Sequence, residues 1–200
     1  MRQVKIIEQL SLDGVIQAPG APDEDRDGGF RHGGWAMRFQ DPVVMEAIEG
    51  VHGAAFDLLL GRRTYDIWSG YWPTAGSGPL ADRFNGATKY VATHRPESLG
   101  WGPAVALGPD LAAGVREIKA AAGPDLVVWG SSSVVASLLE QGLADELVLI
   151  VYPVLMGTGK RLVASDAAPC ELELVESRAG KRGVVVNRFR PAAVPAPARP

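Results

Sequence analysis

The stretch from Asp125 to Leu162 constrains the fold more than any other part of the chain. It opens on an apolar run, Leu126-Val127-Val128-Trp129, that reads as a buried strand. Gly130-Ser131-Ser132-Ser133 follows at once, and then Val134, Val135, Leu138, Leu139 and Leu143 fall at helical spacing. A second apolar strand, Glu146 to Leu155, comes directly after. Strand, helix and strand with short joins make a βαβ unit, which implies a parallel pair and an α/β domain. The Gly-Ser turn also sets backbone N–H groups and hydroxyls at a helix start, where partial positive charge suits a phosphate. Serine acting as an ordinary N-cap is the alternative.

The same grammar recurs upstream. Phe56 to Leu60 reads as a buried strand and runs into Gly61-Arg62-Arg63-Thr64-Tyr65, the start of a second helix. Cations in a first helical turn oppose the helix dipole, so an anion bound between Arg62 and Arg63 accounts for them. Pairing with acids, or exposure to solvent, accounts for them too. A third strand, Thr88 to Ala92, delivers Thr93, His94 and Arg95 at its C-terminal end. Ligands of open α/β sheets gather outside such ends.

The rest of the chain fills in one domain over residues 1–190. Val4 to Ile7 is a first strand, followed by an Asp13-Gly14 turn. Residues 18–34 form a Gly-, Pro- and Asp-rich loop whose acids Asp23, Glu24, Asp25 and Asp27 read as a solvated surface, with no metal-ligand pattern. Asp41-Pro42 caps a helix with Val44, Met45, Ile48 and Val51 on its apolar face. Residues 70–86 read as a loop, 104–107 as a short strand and 110–122 as a helix. Glu171 to Ser177 and Gly183 to Phe189 alternate like an antiparallel hairpin. Residues 191–200 read as a disordered Pro/Ala tail.

Composition narrows the function classes. With 46% hydrophobic residues the chain can build a core, and a net charge of -3 gives no general attraction to nucleic acid or membrane. The single cysteine, Cys170, cannot form an internal disulfide and reads as a small buried hydrophobe. No apolar run is long enough for a transmembrane helix, and the N-terminus lacks the apolar core of a signal peptide, so the expected location is cytoplasmic. There is no GxGxxG, Walker, HExxH, CxxC or GxSxG motif.

Five segments in order carry a resemblance: Ser11-Leu12-Asp13-Gly14-Val15-Ile16, Gly61-Arg62-Arg63-Thr64-Tyr65, Val91-Ala92-Thr93, Gly130-Ser131-Ser132 and Pro153-Val154-Leu155-Met156-Gly157-Thr158-Gly159-Lys160. In these the chain resembles the dihydrofolate-reductase-like superfamily, and most closely its branch related to the RibD C-terminal domain of riboflavin biosynthesis. The resemblance implies a three-layer α/β/α fold with a mixed, largely parallel sheet closed by a C-terminal antiparallel hairpin. It implies NADPH as cofactor. Gln9 and Ile16 would then lie near the nicotinamide. Gly61, Arg62, Arg63 and Thr64 would hold phosphate groups, and Thr93, His94 and Arg95 would surround the adenosine 2′-phosphate. Gly130, Ser131 and Ser132, flanked by Trp129, Ser133 and Val134, would pack against the pyrophosphate. It also implies a homodimer formed through the late strands and the Met156–Leu162 turn. The carboxylate that dihydrofolate reductases carry in their first helix has no clear counterpart in Asp41, Glu46 or Glu49. No deaminase zinc signature of the H-x-E…P-C-x-x-C type occurs.

The expected activity is hydride transfer from NADPH to a C=N or C=O carbon of a small heterocyclic substrate. Asp13 and Asp41 are the candidate proton donors, with turn-forming and capping as their competing roles and water as the competing donor. Trp35 and Trp72, with Trp68, are candidate walls of a substrate pocket. A nucleotide-binding module that keeps the cofactor site without turnover is the alternative function.

Overall fold

The first strand, β1 (Val4–Ser11), runs four residues beyond the apolar stretch that announces it, because Glu8 and Gln9 continue the pairing with polar side chains. The computed structural model describes residues 1–163 and 167–192, so the expected tail lies, from residue 193 onward, outside the described residues. After β1 come α1 (Pro42–His52), β2 (Phe56–Gly61), α2 (Arg62–Tyr71), α3 (Pro79–Gly86), β3 (Lys89–Ala92), β4 (Ala104–Leu107) and α4 (Leu111–Ala120). The chain continues through β5 (Asp125–Trp129), α5 (Ser132–Glu140), β6 (Glu146–Tyr152), β7 (Leu172–Ala179) and β8 (Val185–Pro191). The strands form one sheet in the order β4-β3-β2-β5-β1-β6-β8-β7. Six are parallel, and β8 and β7 close the sheet in antiparallel pairing. The β5–α5–β6 unit is present as expected, but its strands are not neighbours: β1 lies between them.

Alternate residues of the central strands feed two cores. Ile7, Leu58, Leu60 and Val127 pack under α1, α2 and α3, while Ile6, Leu59, Leu126 and Val128 pack under α4 and α5. Both faces are covered, which is why these strands read as continuous apolar runs. The result is the expected three-layer α/β/α architecture. The chain leaves β1 toward α1 on one face and leaves β5 into α5 on the other. The crevice between β1 and β5 at their C-terminal ends is therefore the switch point where open α/β sheets bind ligands.

Local expectations need correction in five places. Residues 70–86 are not a loop: Pro79–Gly86 is α3, whose Ala81 and Phe84 are buried. The inward face of α1 is Val43, Ala47 and Val51, with Met45 exposed. The second hairpin strand starts at Val185, because Gly183 holds φ +81° in the turn, and it runs into the expected tail as far as Pro191. Cys170 is exposed rather than buried. The acidic loop is not merely solvated. Asp25 accepts from Arg63 Nη2 (2.6 Å) and Lys160 Nζ (2.8 Å), with its side chain only 8% exposed, and Glu24 accepts from the backbone N–H groups of Gly20 and Ala21.

Candidate functional site

Two helices begin side by side at the switch point without a side-chain cap. α2 starts after Gly61 and α5 starts after Ser131, and at neither does a capping side chain accept a first-turn N–H. An uncapped start leaves backbone donors for some other partner. The two starts touch: Thr64 Oγ1 and Ser131 Oγ are 3.2 Å apart. Glycine is required on both sides. A Cβ on Gly61 would overlap Ser131, and one on Gly130 would sit 2.9 Å from Thr64 Oγ1. Gly130 and Ser131 both hold left-handed backbone, φ +61° and +63°. For serine that conformation is strained, a feature that concentrates at functional sites.

Arg62 ties this pair of helix starts to the end of β3. Its guanidinium donates to Asp66 Oδ1 (2.8 Å), Thr93 Oγ1 (3.3 Å), the Arg95 carbonyl (3.0 Å) and Ser98 Oγ (2.8 Å). Arg95 Nη2 lies 3.3 Å from the other oxygen of Asp66. Thr93, Arg95 and Arg62 are thus one cluster, and His94 beside them is exposed. Arg63 turns the other way, onto Asp25 and, at 3.2 Å, Asp27. Burial raises the Asp25 pKa, but Arg63 and Lys160 outweigh it and hold the group at about 2. The acid-paired alternative for the two arginines is therefore realised in this structure.

The remaining expected site residues divide between the two cores and the first turn of α5. Val134 is buried in the α4–α5 core. Trp129 is buried on the opposite face, where its Nε1 donates to His52 Nε2 at 3.1 Å. Burial, then the charge of Arg83, pushes His52 down to about 4, so it stays a neutral acceptor. Trp72 lines neither of the two recesses described below: it stacks on Phe84 at 4.4 Å within the same aromatic cluster, and Trp68 joins them. Gln9 faces the α1 layer, accepting from Tyr152 Oη at 2.6 Å, whereas Ile16 packs against the α4–α5 core. Ser132 is half-buried and Ser133 exposed at the first turn of α5.

Neither candidate acid is placed as a proton donor. Asp13 accepts from the backbone N–H groups of Met156 (3.0 Å) and Gly157 (2.8 Å), from the Ser11 hydroxyl (2.6 Å) and from Arg161. The Met156 N–H, then the Ser11 hydroxyl, hold its carboxyl far below the usual range, so it carries no proton near neutral pH. Its work is to clamp the end of β1 to the 156–157 turn. Asp41 caps α1 through Val43 N–H (3.2 Å) and receives Arg182 N–H (2.8 Å) from the hairpin turn.

Trp35 does border a recess. A cleft of about 400 Å³ runs between His32, Trp35 and Arg38 on one side and Val154, Leu155 and Met156 on the other. Trp35 donates to the Gln17 carbonyl (2.8 Å) and meets Tyr152 edge-on at 5.5 Å. A second recess of about 330 Å³ lies beside it, between Asp27–His32 and Thr158–Lys160. Both are at the β1–β6 end of the edge, away from the Arg62 cluster. Among the described residues no group of three or more His, Cys, Asp or Glu side chains could hold a metal, and no helix is long and apolar enough to cross a membrane.

Sequence reasoning missed Glu8. It sits on the central strand with 4% exposure and accepts the Gly130 N–H through Oε1 at 2.7 Å. Burial lifts its pKa from 4.5 to about 8, against the smaller opposing effect of that hydrogen bond. The visible signal was a carboxylate continuing the alternation between Ile6 and Leu10.

Fold and sheet edge together define a three-layer α/β domain of the dihydrofolate-reductase-like class. Within that class the chain belongs to the RibD C-terminal domain family, whose model matches residues 2–186. It is 26% identical over 133 residues to YyaP, an uncharacterized protein of Bacillus subtilis (strain 168), covering 64% of this chain and 70% of that one. Among solved structures it is similar to a Shewanella sp. PV-4 protein provisionally described as a riboflavin biosynthesis protein. The TM-score is 0.63 at 16% identity, over 96% of this chain and 100% of that one. It is also similar to a pyrimidine reductase-like protein of Corynebacterium diphtheriae, with TM-score 0.61 at 12% identity over 96% and 93%. At these identities the two structures speak for the fold.

Proposed function

We propose that this chain is an NADPH-dependent reductase acting on a C=N or C=O group of a small heterocycle. The observation that carries the reading is the pair of uncapped, glycine-lined helix starts at the switch point, joined through Arg62 to the Thr93–Arg95 cluster. Backbone donors at two helix starts suit a pyrophosphate, and a guanidinium cluster one strand further along suits an additional phosphate. Family membership and the reductase-like structural neighbour support the same reaction class.

The bound nicotinamide would supply the hydride, two electrons and one proton, to the substrate carbon. The protein binds and orients the reactants. Trp35, packed edge-on against the buried Tyr152, lines the cleft with His32 and Arg38, an aromatic and polar wall suited to a flat polar ring. With Asp13 held ionised and Asp41 spent on two backbone donors, the balancing proton for the substrate nitrogen or oxygen comes from water entering the cleft. A homodimer through β7, β8 and the 156–162 turn belongs to the same proposal, as does a cytoplasmic location.

The test is nucleotide oxidation by the purified protein with pterin, pyrimidine and quinone-like substrates, read by loss of reduced-nicotinamide absorbance. Turnover with NADPH supports the reductase. Tight NADPH binding without turnover on any of them favours the non-catalytic nucleotide-binding module.

A further inference from the structure

Glu8 is a buried acid placed directly beneath the turn that the proposed cofactor would occupy. The β1–β5 ladder ends at Ile7 opposite Trp129, while β1 goes on pairing with β6 as far as Ser11. Gly130 is the first residue after β5, beyond the ladder, and the Glu8 side chain takes its N–H. The next residue is the strained Ser131, the N-cap of α5. Among the described residues no cation pairs with Glu8: burial and the Gly130 N–H are what act on it, while Arg2 and Lys119 are taken by Asp57 and Asp145. β5 contributes Val128, β6 Leu149 and Val151, α4 Val115, and α5 Val134 and Leu138. The charged groups of the same edge are paired with one another: Arg62 with Asp66, Arg63 with Asp25, Arg161 with Asp13. A carboxylate in an apolar setting without a cation stays protonated instead.

We propose that Glu8 is a positioning residue for the dinucleotide: as a neutral acid it holds Gly130 and Ser131 in the shape that offers the first turn of α5 to a pyrophosphate, and as a carboxylate it repels that phosphate and releases the ligand. The inference rests on the cofactor reading above. It assigns the strand's one buried acid to binding rather than to proton transfer, since its carboxyl faces the α5 turn and not the cleft lined by Trp35. It also makes the affinity for a reduced dinucleotide fall on the alkaline side, where burial, against the smaller effect of the Gly130 hydrogen bond, places the Glu8 titration, at about 8.

The experiment is a titration of the full chain with NADPH at steps from pH 6.5 to about 9.5, for wild type and Glu8→Gln, followed by tryptophan fluorescence. Glutamine keeps the acceptor oxygen and cannot ionise. Wild-type affinity is expected to fall about tenfold between pH 7 and 9, with the Glu8→Gln affinity constant within about twofold, as linkage to a single ionisation requires. In parallel, the carboxyl ¹³C resonance of Glu8 is followed through the same range in wild type, with and without NADPH. Bound nucleotide should raise its midpoint, and this arm needs no folded variant. Identical pH profiles for the two proteins, or a midpoint that nucleotide does not move, overturn the role of Glu8 while leaving the cofactor reading intact. Binding of no nucleotide at any pH overturns both.

Discussion

α1 and α4 begin on a carboxylate, whereas α2 and α5 begin at the same sheet edge with none. Asp41 accepts the Val43 N–H and Asp110 the Ala113 N–H, so those first turns are satisfied from within the chain. At α2 and α5 the capping positions are Gly61 and a left-handed Ser131, and Glu8, which holds the Gly130 N–H, lies under the α5 turn as a buried group rather than over it as a cap. α3 starts without a side-chain cap too, at Gly78, so a bare start alone marks nothing; on the reading proposed above it is the contact between the starts of α2 and α5 that keeps their donors for a ligand. A carboxylate cap would serve stability at all four, typically by about 1 kcal/mol, and on the proposed reading its absence at the two that converge is the cost of an anion site.

The comparison can be sharpened first through Glu8, where the expected effect is largest. Its pKa rises from 4.5 unfolded to about 8 folded, so its contribution to stability is complete below pH 4.5 and is lost as pH climbs through 8. Between pH 5 and 9 the wild type should lose about 4 kcal/mol more than Glu8→Gln, measured by denaturant unfolding at each pH. A parallel pH dependence of the two proteins would mean that Glu8 ionises normally.

Gly61→Ala comes next. Its Cβ would displace Ser131 and part the two helix starts, so NADPH affinity should drop by about 100-fold or more in a folded protein. Arg62→Ala should cost about tenfold in NADPH affinity while leaving NADH affinity nearly unchanged, since a surface ion pair with Asp66 is worth little to stability. The smallest effects belong to the capped starts. Asp41→Ala should lower stability by about 1–2 kcal/mol and Asp110→Ala by about half that, and neither should alter nucleotide affinity. A loss of NADPH binding in either capping variant would erase the distinction between the two kinds of helix start.

Much of this layout is legible in the amino-acid sequence because periodicity reports burial. Strands covered on both faces show as unbroken apolar runs, and the strand–glycine–helix turns at 60–64 and 129–134 stand out against them. What stays hidden depends on partners distant in the chain. α3 was masked by Gly76, Gly78 and Pro79 at its start and by having only Ala81 and Phe84 to bury. The end of β1 was masked by Glu8 and Gln9, whose partners lie 122 and 143 residues away, at Gly130 and Tyr152. Asp25 looked like part of a solvated loop because Arg63 and Lys160, which bury it, are 38 and 135 residues distant. Trp72 and Trp129 looked like site residues because an indole beside a turn suits a pocket as well as a core. The ring of His52, far off on α1, decides for the core at Trp129.

The most direct test of the central claim is a side-by-side titration of the wild-type chain with NADPH and NADH at pH 7, repeated with Arg62→Ala. The account predicts tight NADPH binding, much weaker NADH binding, and a variant in which the preference largely disappears. Equal affinity for the two nucleotides, or no binding of either, would contradict it.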